Sequence, residues 1–256
     1  MATTRKMNDA NIPILSGVGS EYIVLADSNG KMKRVSLANL KASILGGANF
    51  NDIYDNVFIA NHRKSDGLPM RWRPESWTAQ QNSGEVADGV LLIIGDKHLL
   101  VAPTEASDSG LLWSSAAVSG GGTTTSNGDT AKADYAGKAN TTAQIGHTEC
   151  QGTSYAPGFC AAYSRSNGAA TPAGVLAGQW WLPSLGELYL IYQNFHKINY
   201  ALSLITGATQ LSGSSAYWSS TEYSATYAWY LTFTYGYQYG GPKASNRRRV
   251  RPVSAF

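Results

Sequence analysis

The sequence has little charge, cysteine or histidine, and each shortage excludes a class of function. Only 14% of the 256 residues are charged and the formal net charge is +3, so no broad basic face for nucleic acid is expected. Two cysteines and four scattered histidines give little support for a zinc site. A Ser-His-Asp set, paired carboxylates, HExxH and a phosphate loop are also missing. The residues alone therefore predict no catalysis, no metal and no cofactor.

Long apolar runs are absent as well. Nothing approaches 18 consecutive apolar residues, so we expect no insertion into a membrane. The start, MATTRKMNDANIPIL, is interrupted by polar residues and predicts no secretory signal. We therefore expect cytoplasmic synthesis of a soluble protein, or release without a cleavable signal. What the chain does have is 43% apolar residues and 27 glycines, a composition typical of short strands and loops around a sizeable core.

The two cysteines leave one question open. Cys150 and Cys160 flank the short segment CQGTSYAPGFC. They could form a disulfide if the protein matures outside the cell. They could equally remain a pair of buried thiols, because the site of synthesis is reducing.

The chain is predicted to have three parts. Residues 1–50 suggest two short strands and a helix capped by Ser36, too little to bury a core alone. We expect this small module to dock on a partner chain or to oligomerise; an arm packed against the chain's own C-terminal domain is the alternative. Residues 51–85 are predicted to be a connecting segment. Residues 86–256 are predicted to be the main domain, beginning with a hairpin at Gly95-Asp96.

The segment WWLPSLGELYLIYQNF carries the clearest local signal. Ser184 and Glu187 have the spacing of a capping box, in which each side chain binds the other residue's backbone amide. Apolar residues then recur at helical spacing and predict a helix from about 185 to 196, with a second helical piece after it. Trp180 and Trp181 are expected to pack in the core, with ligand stacking as the alternative.

The C-terminal pattern changes to period two. In AWYLTFTYG, the large residues Trp229, Leu231 and Phe233 alternate with small or polar ones. This alternation predicts a strand with one buried face and one displayed face. The ending RVRPVSAF predicts a last short strand.

Four segments, WWLPSLGELYLIY, YWSSTE, AWYLTF and RRVRPVSAF, together resemble the C-type lectin fold of formylglycine-generating-enzyme type. More closely, they resemble the variable proteins of diversity-generating retroelements. The resemblance covers residues 86–256 and implies an α+β, C-type lectin-like domain with a small N-terminal module. The residues expected to form its scaffold are Trp180, Trp181, Ser184, Glu187, Trp218, Trp229, Leu231 and Phe233.

In that family a reverse transcriptase rewrites the end of the gene with errors at adenines, so Asn codons become almost any codon ending in C or T. Such codons cannot encode Trp, Gln, Lys, Glu or Met. The variable region is expected at about 217–251. In its stretch from Glu222 to Arg249, such codons cannot account for Glu222, Trp229, Gln238 and Lys243, which are therefore expected to be fixed. The predicted contact surface consists of Tyr223, Ser224, Ala225, Thr226, Tyr227, Tyr230, Thr232, Thr234, Tyr235, Tyr237, Tyr239, Gly240, Gly241, Pro242, Ala244, Ser245, Asn246, Arg247 and Arg248.

The composition of this surface suits recognition. Tyr gives a large amphipathic contact for two side-chain torsions, while Ser, Thr and Gly beside it give room and adaptable hydrogen bonds. The cluster that includes Arg247 and Arg248 could add bidentate contacts to a carboxylate or phosphate. An ordinary Tyr-rich sheet face with a solvated basic tail is the alternative.

The resemblance implies a ligand-binding protein that attaches a phage to its host. Its partners would be an unknown host-surface protein or glycan, two further copies in a homotrimer, and other virion tail proteins through residues 1–50. Its place would be the virion tail; a bacterial surface adhesin is the alternative. An enzyme of formylglycine-generating type is a third possibility, but it needs a reactive cysteine pair in the active site, and Cys150 and Cys160 both precede the WWLPS helix. The paired motifs of calcium-binding lectins are also missing.

Overall fold

A computed structural model describes residues 56–169 and 173–256 with their side chains, and the backbone of residues 22–26 and 32–36. The chain divides into two compact units, Met1–Asp55 and Asn56–Phe256. In the first unit, β1 (Tyr22–Ala26) and β2 (Met32–Ser36) pair antiparallel, as the pattern predicted. The helix predicted after Ser36 lies outside the described residues.

The second unit begins with four strands of one antiparallel sheet. In chain order they are β3 (Val57–His62), β4 (Pro69–Trp72), β5 (Gly89–Ile94) and β6 (Lys97–Val101). The predicted hairpin at Gly95-Asp96 joins β5 to β6. Residues 51–85 were expected to be a connection, but from residue 56 onward they belong to this unit. The run VFIANH pairs with β5 and is almost entirely buried, because Val57 and Ile59 belong to one apolar cluster and Phe58 and Ala60 to another.

The unit also contains short helices and a small strand pair. One helix, α1 (Pro74–Asn82), lies between β4 and β5 and buries Trp77 in the core, and the other elements follow β6. These helices are α2 (Gly128–Lys132), α3 (Gly137–Gln144), α4 (Thr148–Gln151) and α5 (Ala156–Ala162), and the strand pair is β7 (Arg165–Ser166) with β8 (Gly174–Val175). None of the helices in the described residues is long and apolar enough to cross a membrane.

The predicted capping box opens α6 (Leu185–Gln193). The backbone N–H of Ser184 donates to Glu187 Oε2 at 2.8 Å, and the N–H of Glu187 donates to Ser184 Oγ at 3.4 Å. The helix ends earlier than predicted, because Asn194 leaves helical geometry and its side-chain amide donates to the Leu190 carbonyl. The second helix, α7 (Phe195–Ser203), starts directly after it.

The last strands form a separate three-stranded antiparallel sheet and complete the first one. β9 (Ala216–Glu222), β10 (Tyr227–Thr232) and β11 (Tyr237–Pro242) lie in the order β11-β10-β9. β12 (Val253–Ser254) pairs with β6, which gives the first sheet the order β12-β6-β5-β3-β4. The unit is thus a mixed α/β structure built on antiparallel sheets.

Two apolar clusters hold the three-stranded sheet, one on each face. Trp229, Leu231 and Phe233 belong to a cluster with the apolar side of α6. Trp218 and Ala228 belong to a second cluster that includes Trp113 and both cysteines. Trp180 and Trp181 are 2% and 6% exposed, which confirms their packing in the core.

Candidate ligand-binding surface

The hairpin of β10 and β11 displays tyrosines on the face opposite Trp229. Tyr230 lies opposite Tyr239 and Thr232 opposite Tyr237, and residues directly opposite in an antiparallel pair share a face. The rings of Tyr230 and Tyr239 are 5.8 Å apart between centroids. In the turn, Tyr235 stacks on Tyr237 at 6.2 Å. We call Tyr230, Thr232, Tyr235, Tyr237 and Tyr239 the tyrosine face.

The turn of this hairpin depends on a glycine. Gly236 has φ +70°, a conformation that favours glycine, and a Cβ there would lie 2.7 Å from the Tyr192 ring of α6. Tyr189, also on α6, donates its hydroxyl to the Gly236 carbonyl at 3.1 Å. The turn is therefore packed on the helix, and Tyr235 and Tyr237 project from a supported base with 71% and 59% of their surface exposed.

A second exposed group lies between β9 and β10. Tyr223 and Tyr227 are 6.3 Å apart between ring centroids, and Tyr223 also contacts Trp229 at 4.9 Å. The Ser224 hydroxyl accepts from the backbone N–H groups of Thr226 and Tyr227 and so orders the turn. We call residues 223–227 the turn patch. It lies at the Trp229 side of the sheet, so the predicted contact residues form two groups and not one continuous face.

The remaining predicted contact residues differ in how far they are exposed to solvent. Gly241 is buried: a Cβ there would lie 3.0 Å from both Trp218 and Tyr230, so this position supports Tyr230 and offers no contact of its own. At Gly240 a Cβ would lie 3.1 Å from Tyr223. Thr234, Ser245 and Arg247 are exposed, whereas Pro242, Ala244, Asn246 and Arg248 are half-buried.

Glu222 and Lys243, two of the four residues expected to be fixed, form a buried ion pair. Lys243 Nζ lies 2.5 Å from Glu222 Oε2, and both side chains are fully buried. The same ammonium donates to the carbonyls of Val118 at 2.7 Å and Ala225 at 3.0 Å. The Glu222 carboxylate also accepts from the N–H groups of Gly120 and Gly122. Burial lowers the pKa of Lys243, while the hydrogen bond and charge of Glu222 oppose that shift.

Trp229 and Gln238 are the other two residues expected to be fixed. Each of them forms a hydrogen bond with a distant segment of the domain. Trp229 is 6% exposed and its indole N–H donates to the Thr125 carbonyl at 2.8 Å. Gln238 Oε1 accepts a hydrogen bond from the Tyr189 hydroxyl of α6. Each residue type that the codon argument excludes from variation thus has a structural role, and the most exposed tyrosines lie between these positions.

The C-terminal cations differ in whether they form ion pairs with the described residues. We call these residues the basic cluster: Lys243, Arg247, Arg248, Arg249 and Arg251. Arg249 forms ion pairs with Glu105 and with Asp108, and the buried Arg251 lies 2.9 Å from Glu105. Sequence reasoning missed Glu105, because it lies more than 140 positions before these arginines and carries no local signal. Arg247 is exposed, and its Nη1 donates to a carbonyl, that of Gly110, at 3.2 Å.

A shallow cleft of about 170 Å³ lies beside this cluster. Its walls come from three chain segments: residues 108–110, the start of β9, and residues 247–249. The ion pair of Arg249 with Asp108 closes part of it. Among the residues that the structure describes, no group of three or more His, Cys, Asp and Glu side chains could hold a metal ion.

The profile of the Lcl C-terminal domain matches residues 104–254, which is more than half of the 256 residues. The chain belongs to the Lcl C-terminal domain family. This family is linked to the variable proteins of diversity-generating retroelements, so the match agrees with the resemblance at the level of the domain. The Lcl C-terminal domain here contains α2 to α7 and β7 to β12, and therefore the tyrosine face, the turn patch and the basic cluster. Strands β3 to β6 precede it.

No curated protein matches the chain. A solved structure, described as a fimbrial protein from Bacteroides ovatus, aligns with 62% of this chain at 16% identity and a TM-score of 0.43. The alignment covers 36% of that fimbrial chain. A likeness of this size carries no argument about fold or function.

Proposed function

We propose that the chain is a receptor-binding protein of a phage tail, with a C-type lectin-like domain whose tyrosine face and turn patch are diversified by a retroelement. The observation that carries the proposal is the division of residues 222–243. The four residues of types that the codons cannot produce hold the scaffold, and the exposed large side chains between them are all tyrosines. In this proposal the scaffold is constant while the contact surface varies.

The energetics of the surface suit a binding role. Tyr237 and Tyr239 are 59% and 48% exposed, so contact with a partner would remove a large aromatic area from water. Their strands are held by the α6 contacts of Tyr189 and Tyr192, so little further ordering is needed on binding. Affinity would arise from these rings, and specificity from the smaller residues around them.

The proposal assigns no catalytic step. Cys150 and Cys160 are free and fully buried. Burial raises the pKa of the Cys150 thiol to about 12 and that of Cys160 well above its ordinary value. Thiols in such surroundings are poor nucleophiles, because the thiolate is the reactive form. This supports binding over chemistry of the formylglycine-generating type.

The first test is genetic. We expect a near-copy of the codons for residues 217–251 beside the gene, differing from them only at adenines, together with a reverse transcriptase gene. The template codons aligned with Glu222, Trp229, Gln238 and Lys243 should not be the Asn codons AAC or AAT, whereas those aligned with the exposed tyrosines should be. Absence of the copy would overturn the retroelement part of the proposal.

The second test measures binding of the labelled full-length chain to a panel of intact bacterial strains. In the strain that binds, Tyr237→Ser with Tyr239→Ser should reduce binding at least about tenfold, since central aromatic residues dominate such contacts. Tyr200→Ser on α7 is the matched control, because Tyr200 is 48% exposed like Tyr239. Equal loss in the control would contradict the assignment. Immunogold labelling of phage tails would favour the virion, and labelling of the producing cell's surface would favour an adhesin.

A further inference from the structure

Arg248 differs from the other cations near the surface in its surroundings. Its guanidinium carbon lies 3.5 Å from the centroid of the Tyr230 ring and 5.1 Å from that of Trp218. Its backbone is fixed, since its N–H and carbonyl pair with Leu111 at 3.1 and 2.9 Å. The guanidinium thus lies over an aromatic base, and contact through the face of the group leaves its N–H edge available for hydrogen bonding.

The N–H groups of the Arg248 guanidinium make no hydrogen bond within the described part of the chain. Its Nε atom is buried without an acceptor. The two terminal nitrogens make no hydrogen bond with the described residues and are not among the buried unpartnered atoms, so they reach solvent. Burial lowers the pKa of Arg248, but an arginine remains charged at neutral pH.

No ion pair joins Arg248 to a carboxylate among the residues that the structure describes. Glu222 is bound by Lys243, while Glu105 and Asp108 are bound by Arg249 and, for Glu105, by Arg251. Glu222, Glu105 and Asp108 are therefore each paired with a cation other than Arg248. A partly desolvated cation without a counter-ion is costly in the unbound protein, so a ligand that supplies the counter-ion relieves that cost.

From this geometry we infer that Arg248 is a carboxylate-binding subsite of the surface: its two terminal nitrogens receive one carboxylate of the ligand end-on while Tyr230 supports the guanidinium. The inference rests on the proposed binding function and adds a chemical class to it. The planar fork of Arg248 matches two carboxylate oxygens. Tyr239, whose ring lies beside Tyr230, would contact the carbon atoms that carry the carboxylate.

The test uses small probes, so it does not depend on knowing the natural ligand. The full-length protein, labelled with ¹⁵N, is titrated with acetate at constant ionic strength, with chloride as the balancing salt. The Nε–H of Arg248 is the reporter, and the spectra are recorded at mildly acidic pH, where exchange with water is slow for exposed arginines as well and acetate is still ionised. We expect a saturable shift of this signal that is at least about threefold larger than the shift of the Arg71 Nε–H. Arg71 is the matched control, because it is exposed and its guanidinium also lies over an aromatic ring, that of Phe58, at 5.4 Å.

Further probes and variants distinguish a protein carboxylate from a sugar carboxylate, and a carboxylate subsite from general anion binding. N-acetylglutamate amide and glucuronate stand for a protein side chain and an acidic sugar, and saturation by either supports the subsite. Arg248→Lys should abolish the aromatic-edge shifts of Tyr230 that accompany acetate binding, whereas Arg71→Lys should leave them. Shifts by phosphate or sulfate at equal or lower concentration, or no difference from Arg71, would overturn the inference. Such a result would leave the loss of cell binding in the Tyr237 and Tyr239 variants unaffected, so the two failures are distinguishable.

Discussion

The Glu222–Lys243 pair shows how single residues hold a variable surface in place. Its ammonium and carboxylate together bind the backbone at Val118, Gly120, Gly122 and Ala225, and so join the loop before α2 to the turn patch. Two buried charges repay their desolvation only when both are present and hydrogen-bonded. Neither residue type can arise from the Asn codons AAC and AAT, so under the proposed diversification the pair stays constant while the residues between its members change.

Removing one partner should therefore be strongly destabilising. We expect Lys243→Met to lower the free energy of unfolding by about 3–5 kcal/mol, because the Glu222 carboxylate is left buried without its counter-charge. The measurement is urea denaturation of the full chain. Lys97→Met is the control: Lys97 has its ion pair with Asp96 at the surface and its ammonium over a ring, Tyr135, and should cost less than about 1 kcal/mol. Equal costs would contradict a structural role for the pair.

At the scale of the element, α6 supports the binding surface and carries a titrating group at its first turn. Glu187 closes the capping box and also accepts from the Trp181 indole N–H at 3.1 Å. Burial raises the pKa of Glu187 from 4.5 to about 7, against the opposing effect of these hydrogen bonds. The folded state thus favours the protonated carboxyl of Glu187. Its ionisation lowers the stability of the fold at the first turn of α6, the helix on which the β10–β11 turn rests.

The sign of the pH dependence follows from this shift. The stabilisation from Glu187 is fully present below pH 4.5 and is lost as the pH rises through about 7. We expect the unfolding free energy of the natural chain, minus that of Glu187→Gln, to fall by about 3 kcal/mol over this range. Denaturation series at pH 4.5 and at about pH 8 would measure it. Parallel stability curves for the two proteins would show that the carboxyl titrates normally.

At the scale of the whole molecule, a diversified surface faces an affinity problem. One draw from a variable repertoire binds weakly on average, and several copies on one particle raise the avidity without new contacts. The proposed homotrimer would solve this problem. Residues 1–50 are the segment proposed to attach or oligomerise the chain.

The trimer has a direct test. One chain has a mass of 27.4 kDa, so light scattering of the full-length protein should give three times that value, about 82 kDa. The mass should persist on dilution, because only a stable trimer would provide multivalent contact. A clean mass of one chain would exclude the trimer and leave the surface assignment in place.

Local patterns in the sequence were enough for several elements. The capping box of Ser184 and Glu187, the β5–β6 hairpin at Gly95-Asp96 and the alternation of Trp229, Leu231 and Phe233 follow from interactions between near neighbours, so they are confirmed with small boundary changes. The predicted end of α6 was three residues too late, because the helix stops at Gln193, where Asn194 leaves helical geometry and its side chain binds the Leu190 carbonyl.

Through local chemistry, the sequence by itself determined the capping box of α6 and the alternation of β10, and it predicts which residues are fixed and which types form the contact surface. Tertiary structure alone decided which of the basic residues are available. Glu105 binds Arg249 and Arg251, and Glu222 binds Lys243, whereas Arg248 is left on the ring of Tyr230. It also buried Gly241 and divided the tyrosines between two sides of one sheet. The physical reason is that charge pairing and burial depend on segments far apart in the chain, which only the packed fold brings together.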